Sequence, residues 1–93
     1  MSSPSAQFSL TLRVEFDRRP GMLGAVATVI GDAGGSIGDI ETIELGDVKA
    51  IREITVDATD AEHGEAIAAA VEAVEGASLL ETTDRTFELH RGG

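Results

Sequence analysis

Phe8-Ser9-Leu10-Thr11-Leu12-Arg13-Val14-Glu15-Phe16, running directly into Asp17-Arg18-Arg19-Pro20-Gly21-Met22-Leu23, is the stretch on which the fold turns. Its even-numbered positions from Phe8 to Phe16 are apolar and the odd ones polar or charged. A period of two predicts a strand with one buried and one wet face. The period then changes. Leu23, Val26, Ala27 and Ile30 recur at helical spacing, and Gly34-Gly35 ends the run because glycine accepts the left-handed conformation of a helix C-terminus. A helix is therefore predicted over about 21–33. At the junction, Pro20 presets φ for a first helical position and Gly21 carries no Cβ. The unbonded N–H groups from Gly21 to Leu23 are then predicted to face a carboxylate or phosphate, although the same pair also suits a helix that merely needs a start.

Downstream, Ile37, Ile43 and Leu45 share a parity that Ile40 breaks. The second strand, predicted over 36–45, must carry a bulge or show apolar groups on both faces, as an edge strand with a partner does. Gly46-Asp47 has the spacing of a tight hairpin and leads to a third strand over 48–57 with Val48, Ala50, Ile54 and Val56 inward. Thr59-Asp60-Ala61-Glu62 reads as a capping box opening a second helix. That helix has an apolar stripe of Ala66, Ile67, Ala70, Val71 and Val74, and Gly76 stops it. A fourth strand is predicted over 77–83. Residues 1–7 read as a disordered tail, and residues 84–93 as an extra strand and linker toward a catalytic domain absent from the chain. The order strand, helix, strand, strand, helix, strand is a doubled split βαβ unit. It implies an α+β, ferredoxin-like βαββαβ sandwich: a four-stranded antiparallel sheet with two helices on one face and strands two and four at its edges.

Composition narrows the chemistry. Ninety-three residues make one domain with a modest core. The 17 acidic residues outnumber the 7 basic ones, for a net charge of −10, and this excess repels nucleic acid and anionic lipid. There is no Cys, hence neither a disulfide nor a thiolate metal site, and a cytoplasmic location is expected. No apolar run reaches the ~18 residues of a membrane span.

The fold hosts many activities, so particular residues have to choose among them. An acylphosphatase positions its water with an asparagine, and this chain has no Asn. An RNA-recognition sheet displays aromatics, yet the open face here offers Ser9, Thr11, Arg13 and Glu53, with no Tyr or Trp in the chain. A metal chaperone of this fold needs a Cys pair. Asp39, Glu41 and Glu44 lie along one strand without a converging partner, so no metal site is expected. His63 reads as an ordinary surface histidine among carboxylates, and no Ser, His and Asp set has a catalytic context.

The segment Asp17-Arg18-Arg19-Pro20-Gly21-Met22-Leu23, followed by Gly34-Gly35-Ser36-Ile37, resembles the ACT domain, a small regulatory module, over about residues 8–83. A closer likeness, to the N-terminal ACT segment of certain bacterial NAD-dependent malic enzymes, runs through Leu10-Thr11-Leu12-Arg13-Val14-Glu15, Gly34-Gly35-Ser36-Ile37-Gly38-Asp39-Ile40, Arg52-Glu53-Ile54-Thr55-Val56-Asp57 and Asp84-Arg85-Thr86-Phe87. The resemblance implies domains paired edge to edge as a homodimer or larger assembly. An amino acid or dicarboxylic acid effector would then lie between the first strand-helix loop of one copy and the second strand of the other. On this chain it implies backbone amides from Gly21, Met22 and Leu23 beside Pro20, polar contacts from Asp17 and Arg18, and Ile37, Gly38 and Asp39 supplied by the neighbour. It implies no cofactor in this domain and no catalysis by it, the parent enzyme being an oxidoreductase. A structural oligomerisation module with no ligand is the alternative.

Overall fold

A computed structural model of the chain describes residues 8–85. Its elements are β1 (Phe8–Asp17), α1 (Met22–Asp32), β2 (Ser36–Leu45), β3 (Lys49–Ala58), α2 (Ala61–Glu72) and β4 (Ala77–Asp84). The expected tail at 1–7 and the extended piece at 86–90 lie outside the described residues. The strands form one sheet in the order β2-β3-β1-β4 with every neighbouring pair antiparallel, so β2 and β4 are the edges, as the ferredoxin-like reading requires.

The two-residue period of β1 decides where the helices go. Leu10, Leu12, Val14 and Phe16 from β1 and Ala50, Ile54, Val56 and Ala58 from β3 join Met22, Val26 and Ile30 of α1 and Ile67 and Val71 of α2 in one buried core. Every strand member has even parity, so both helices cover one face. Burying side chains of this size contributes about 1.5–3 kcal/mol each, and this gain drives the layering. Gly34, at φ +89, and Gly35 end α1 in a Schellman motif: the Gly35 N–H donates to Ile30 O at 2.9 Å and the Gly34 N–H to Gly31 O at 2.9 Å. Gly35 then passes so close to the core that a Cβ would lie 2.9 Å from both Ile67 Cδ1 and Val56 Cγ1.

The broken parity of β2 resolves into two bulges, where the register with β3 shifts between Ile37 and Asp39 and again between Thr42 and Glu44. Ile37, Ile40, Thr42 and Leu45 thereby pair with Val56, Ile54, Arg52 and Ala50, all on the helix side of β3. The helices do not reach the β2 margin. Ile40 is 39% exposed, Ile43 42% and Leu45 57%.

Several local expectations shift. The Gly46 N–H donates to Lys49 O at 2.9 Å, so Asp47 and Val48 form the hairpin tip and Val48 is 70% exposed instead of inward. The α2 cap is Asp60, not Thr59: its Oδ1 accepts the His63 N–H at 2.8 Å, and helical residues begin at Ala61. In that frame Gly64, under Phe8, joins the buried stripe with Ile67 and Val71, and Ala66 is exposed. His63 is half-buried and structural. Its Nδ1 accepts the Thr59 N–H at 3.0 Å and its Nε2–H donates to Ala33 O at 2.7 Å, tying the start of α2 to the end of α1. Finally, the sheet face away from the helices is not open throughout: Ser9 and Thr11 are buried, and Arg85 Nη1 donates to Thr11 Oγ1 at 3.3 Å.

Candidate functional site

The loop from β1 into α1 is held from both sides. The Asp17 N–H donates to Gly76 O at 3.1 Å, the Arg18 N–H to Val48 O at 2.8 Å, and Arg18 Nη1 to Gly46 O at 2.8 Å. Met22 N–H then donates to Arg19 O at 3.3 Å, closing a four-residue turn with Pro20 second and Gly21 third. Gly21 sits at φ 88, ψ −7. These are the angles of a type II turn, whose second position favours proline and whose third requires positive φ. Pro20 is thus a turn residue and not the first residue of the helix; Gly21 is the N-cap.

This turn sets which amides are available. The Met22 amide is committed to Arg19, and its side chain is buried. The amides of Gly21, Leu23 and Gly24 donate to no backbone carbonyl among the described residues. The helix start also has no side-chain cap and no acidic residue in its first turn. An unfinished helix N-terminus carries a partial positive charge and exposed donors, which suits an anion. A Cβ built at Gly21 or at Gly24 meets nothing within 4 Å, so the approach is open.

Gly21, Leu23 and Gly24 border a cleft of about 540 Å³. Asp17, Arg18, Pro20, Gly21, Met22 and Leu23, all expected from the sequence, line it together with Arg19, Gly24, Phe16, Asp47, Ala50 and Arg52. Ile37, Gly38 and Asp39 do not. They lie near the row of Val56 on β3, whereas Asp17 pairs with Lys49, seven residues away along the strand. At ~3.3 Å per residue that is roughly 23 Å, so within one chain the two expected halves occupy opposite ends of the sheet.

Asp17 is an organiser of the loop. Its Oδ1 accepts from Lys49 Nζ at 3.0 Å and its Oδ2 from Arg19 Nε at 3.5 Å. The hydrogen bond and charge of Lys49, with Arg19 second, hold the Asp17 carboxyl below the usual aspartate range; Asp17 in turn raises Lys49.

Arg52 was not foreseen in the cleft. Its parity is that of Ala50 and Ile54, so it projects on the helix side of β3, opposite Val14. Its Cζ lies 5.8 Å from the Phe16 ring centroid, and Nη1 donates to Thr42 Oγ1. The readable signal was a cation inserted into the apolar parity of Ala50, Ile54 and Val56.

On the opposite face Arg13 pairs with Glu53 at 2.6 Å, which raises the Arg13 pKa. Among the described residues no three His, Cys, Asp or Glu side chains cluster as metal ligands. No helix among them is long and apolar enough to cross a membrane.

Comparison with known proteins places this geometry. The family model of the ACT domain matches residues 8–76. NAD-dependent malic enzyme 1 of Bacillus subtilis (strain 168) is 42% identical over 84 residues, which are 89% of this chain and 19% of that protein. NAD-dependent malic enzyme of Geobacillus stearothermophilus is 34% identical over 88 residues, 95% of this chain and 18% of its relative. The chain therefore spans about a fifth of the length of these two. In structure, it superposes with a TM-score of 0.64 and 14% identity on the ACT domain from GTP pyrophosphokinase of Chlorobium tepidum, covering 83% of this chain and 96% of that one.

Proposed function

This chain belongs to the ACT domain family, and from that membership we propose that it is the regulatory, effector-binding part of a cytoplasmic NAD-dependent malic enzyme, working through a homodimer or larger assembly. One observation carries the reading: the start of α1 is unfinished, the amides of Gly21, Leu23 and Gly24 having no backbone acceptor among the described residues, and these residues line a cleft large enough for a small acid. The malic-enzyme assignment is supported by the 42% and 34% identities, and the chemistry itself belongs to the remainder of such a protein.

The second half of the site comes from a second copy. Among the described residues β2 is an edge strand whose outer side pairs with no other strand, and it exposes Ile40, Ile43 and Leu45, the features of a strand that accepts another strand. An antiparallel pairing of two β2 strands centred on Glu41 sets Ile37 of the second copy opposite Leu45, which brings Gly38 and Asp39 of that copy toward the Asp47 end of the cleft. A ligand bridging both copies favours one packing of the β2 edges over another. Its differential affinity for the two packings is the regulatory signal.

A thermal-shift titration with the twenty amino acids, malate, fumarate and succinate tests this. At least one should raise the unfolding midpoint; a flat response across the panel defeats effector binding. A ligand-free structural oligomerisation module is the second reading, favoured by the exposed apolar residues of β2, which need no cleft to pair. Ile40→Asp should dissolve the assembly under either reading, and only the midpoint shift separates the two.

A further inference from the structure

Arg52 is out of place in its strand. Ala50, Ile54 and Val56 share its side and are buried, as is Val14 directly across on β1. A half-buried guanidinium on such a wall is costly unless something answers its charge. Nothing described does. The ion pairs among the described residues are Arg13 with Glu53 and Asp17 with Arg19 and Lys49. Among the described residues Arg52 has only the Thr42 hydroxyl and the Phe16 ring, and its Nε–H, withdrawn from solvent, finds no acceptor there. Phe16 and Thr42 fix the group in place but leave its charge uncompensated.

The surroundings sharpen the point. The chain carries seven basic residues and a net charge of −10, yet Arg18, Arg19 and Arg52 all line this one cleft. Of the two acidic residues there, Asp17 is answered by Lys49 and Arg19, which leaves Asp47. A positive hollow on an acidic protein concentrates anions and disfavours free cations. It also has two separate anion-seeking walls, the amides of α1 on one side and the Arg52 guanidinium on β3.

We propose that Arg52 is a specificity-determining residue, and that the cleft takes small dicarboxylates: one carboxylate on the amides of Gly21, Leu23 and Gly24, the second on the Arg52 guanidinium. This rests on the reading of the cleft as an effector site and adds the class of effector. A neutral amino acid answers only one wall and turns its ammonium toward a cleft that is already cationic. A planar fork matches a second carboxylate, and charge-assisted hydrogen bonds to it are the strong kind.

Calorimetric titration of the full chain with succinate and with butyrate isolates the second carboxylate at constant carbon number. The unmodified chain is expected to bind succinate at least about tenfold more tightly than butyrate, one charge-assisted contact being worth that much. Arg52→Gln should bring the ratio near one by weakening succinate much more than butyrate, and Arg52→Lys should restore part of it. Added salt gives a reading independent of any variant, since it should weaken succinate more than butyrate. Equal affinities in the unmodified chain, a ratio untouched by Arg52→Gln, or equal salt weakening overturns the proposal and leaves the effector site standing. If neither these acids nor any member of the thermal-shift panel binds, the effector site fails, and this inference fails with it.

Discussion

The two helices of this domain begin in opposite ways. At α2, Asp60 in an extended conformation accepts the His63 N–H, Glu62 adds an acidic group to the first turn, and the His63 ring reaches back to the Thr59 N–H. At α1 the N-cap is a glycine at φ 88 with no side-chain cap, and no acid follows in the first turn. Each helix has the same obligation, a first turn of N–H groups with no helical acceptor. α2 meets part of it with a side chain, Asp60 taking the His63 N–H, and packs against the end of α1 through His63. α1 commits only the Met22 amide, to Arg19 O, and no side chain takes those of Leu23 and Gly24. The halves of a doubled βαβ unit are alike in topology, so the asymmetry in capping is what sets the two helix starts apart, and under the proposed function it assigns the ligand to α1.

Breaking the α1 side should have the largest effect. Gly21→Val puts a β-branched residue at φ 88, where the cost is conformational, because no atom lies within 4 Å of the new Cβ. We expect a loss of about 1–3 kcal/mol in stability, complete loss of the ligand-induced midpoint shift, and an unchanged oligomer by sedimentation. Retained ligand response in a folded Gly21→Val chain would remove the special status of this turn.

Breaking the α2 side should do something different. Asp60→Ala removes the cap and should cost about 1 kcal/mol in chemical denaturation while ligand affinity stays as it was. A change in affinity as large as the change in stability would mean that the two helix starts are coupled and the contrast between them is false.

The smallest effect concerns the loop's organiser. The Asp17 carboxyl is held low chiefly by Lys49, so its folded pKa lies below its unfolded value near 3.9. Its contribution is therefore present above that value and lost as pH falls through the folded pKa. Lys49 runs the other way, since its raised pKa stabilises below about 10.4 and the effect is lost as pH rises through the folded value. Asp17→Asn should flatten both arms of the stability profile by a small amount, the pair being partly solvated. An unaltered profile would show that the loop does not depend on this pair.

Much of the architecture was legible because periodicity is a physical consequence of burial. Phe8 to Phe16 could only be a half-buried strand, and the parity conflict of Ile40 announced the β2 bulges that the register contains. Misjudged details were one-residue choices between equivalent chemistries. Thr59 and Asp60 are both good caps, and the frame that buries Gly64, Ile67 and Val71 selects Asp60. Gly46-Asp47 and Asp47-Val48 both suit a two-residue tip, and the Gly46 to Lys49 hydrogen bond selects the second. Of the residues that line the cleft, Asp17, Arg18, Pro20, Gly21, Met22 and Leu23 were named as site residues from the sequence, whereas Arg19 was not and Arg52 was missed because its proximity to Phe16 and Thr42 is a product of strand pairing. Likewise Pro20-Gly21 was read as the beginning of a helix, since only the left-handed Gly21 reveals the turn that withdraws the Met22 amide and frees its neighbours.

Amide chemical shifts of the full chain, followed by nuclear magnetic resonance during addition of succinate, address the contrast between the two helix starts most directly. The account predicts saturable shifts largest at Gly21, Leu23 and Gly24, with Ala61, Glu62 and His63 unmoved. Shifts centred on the α2 start, or spread evenly over the surface with no saturation, would contradict it.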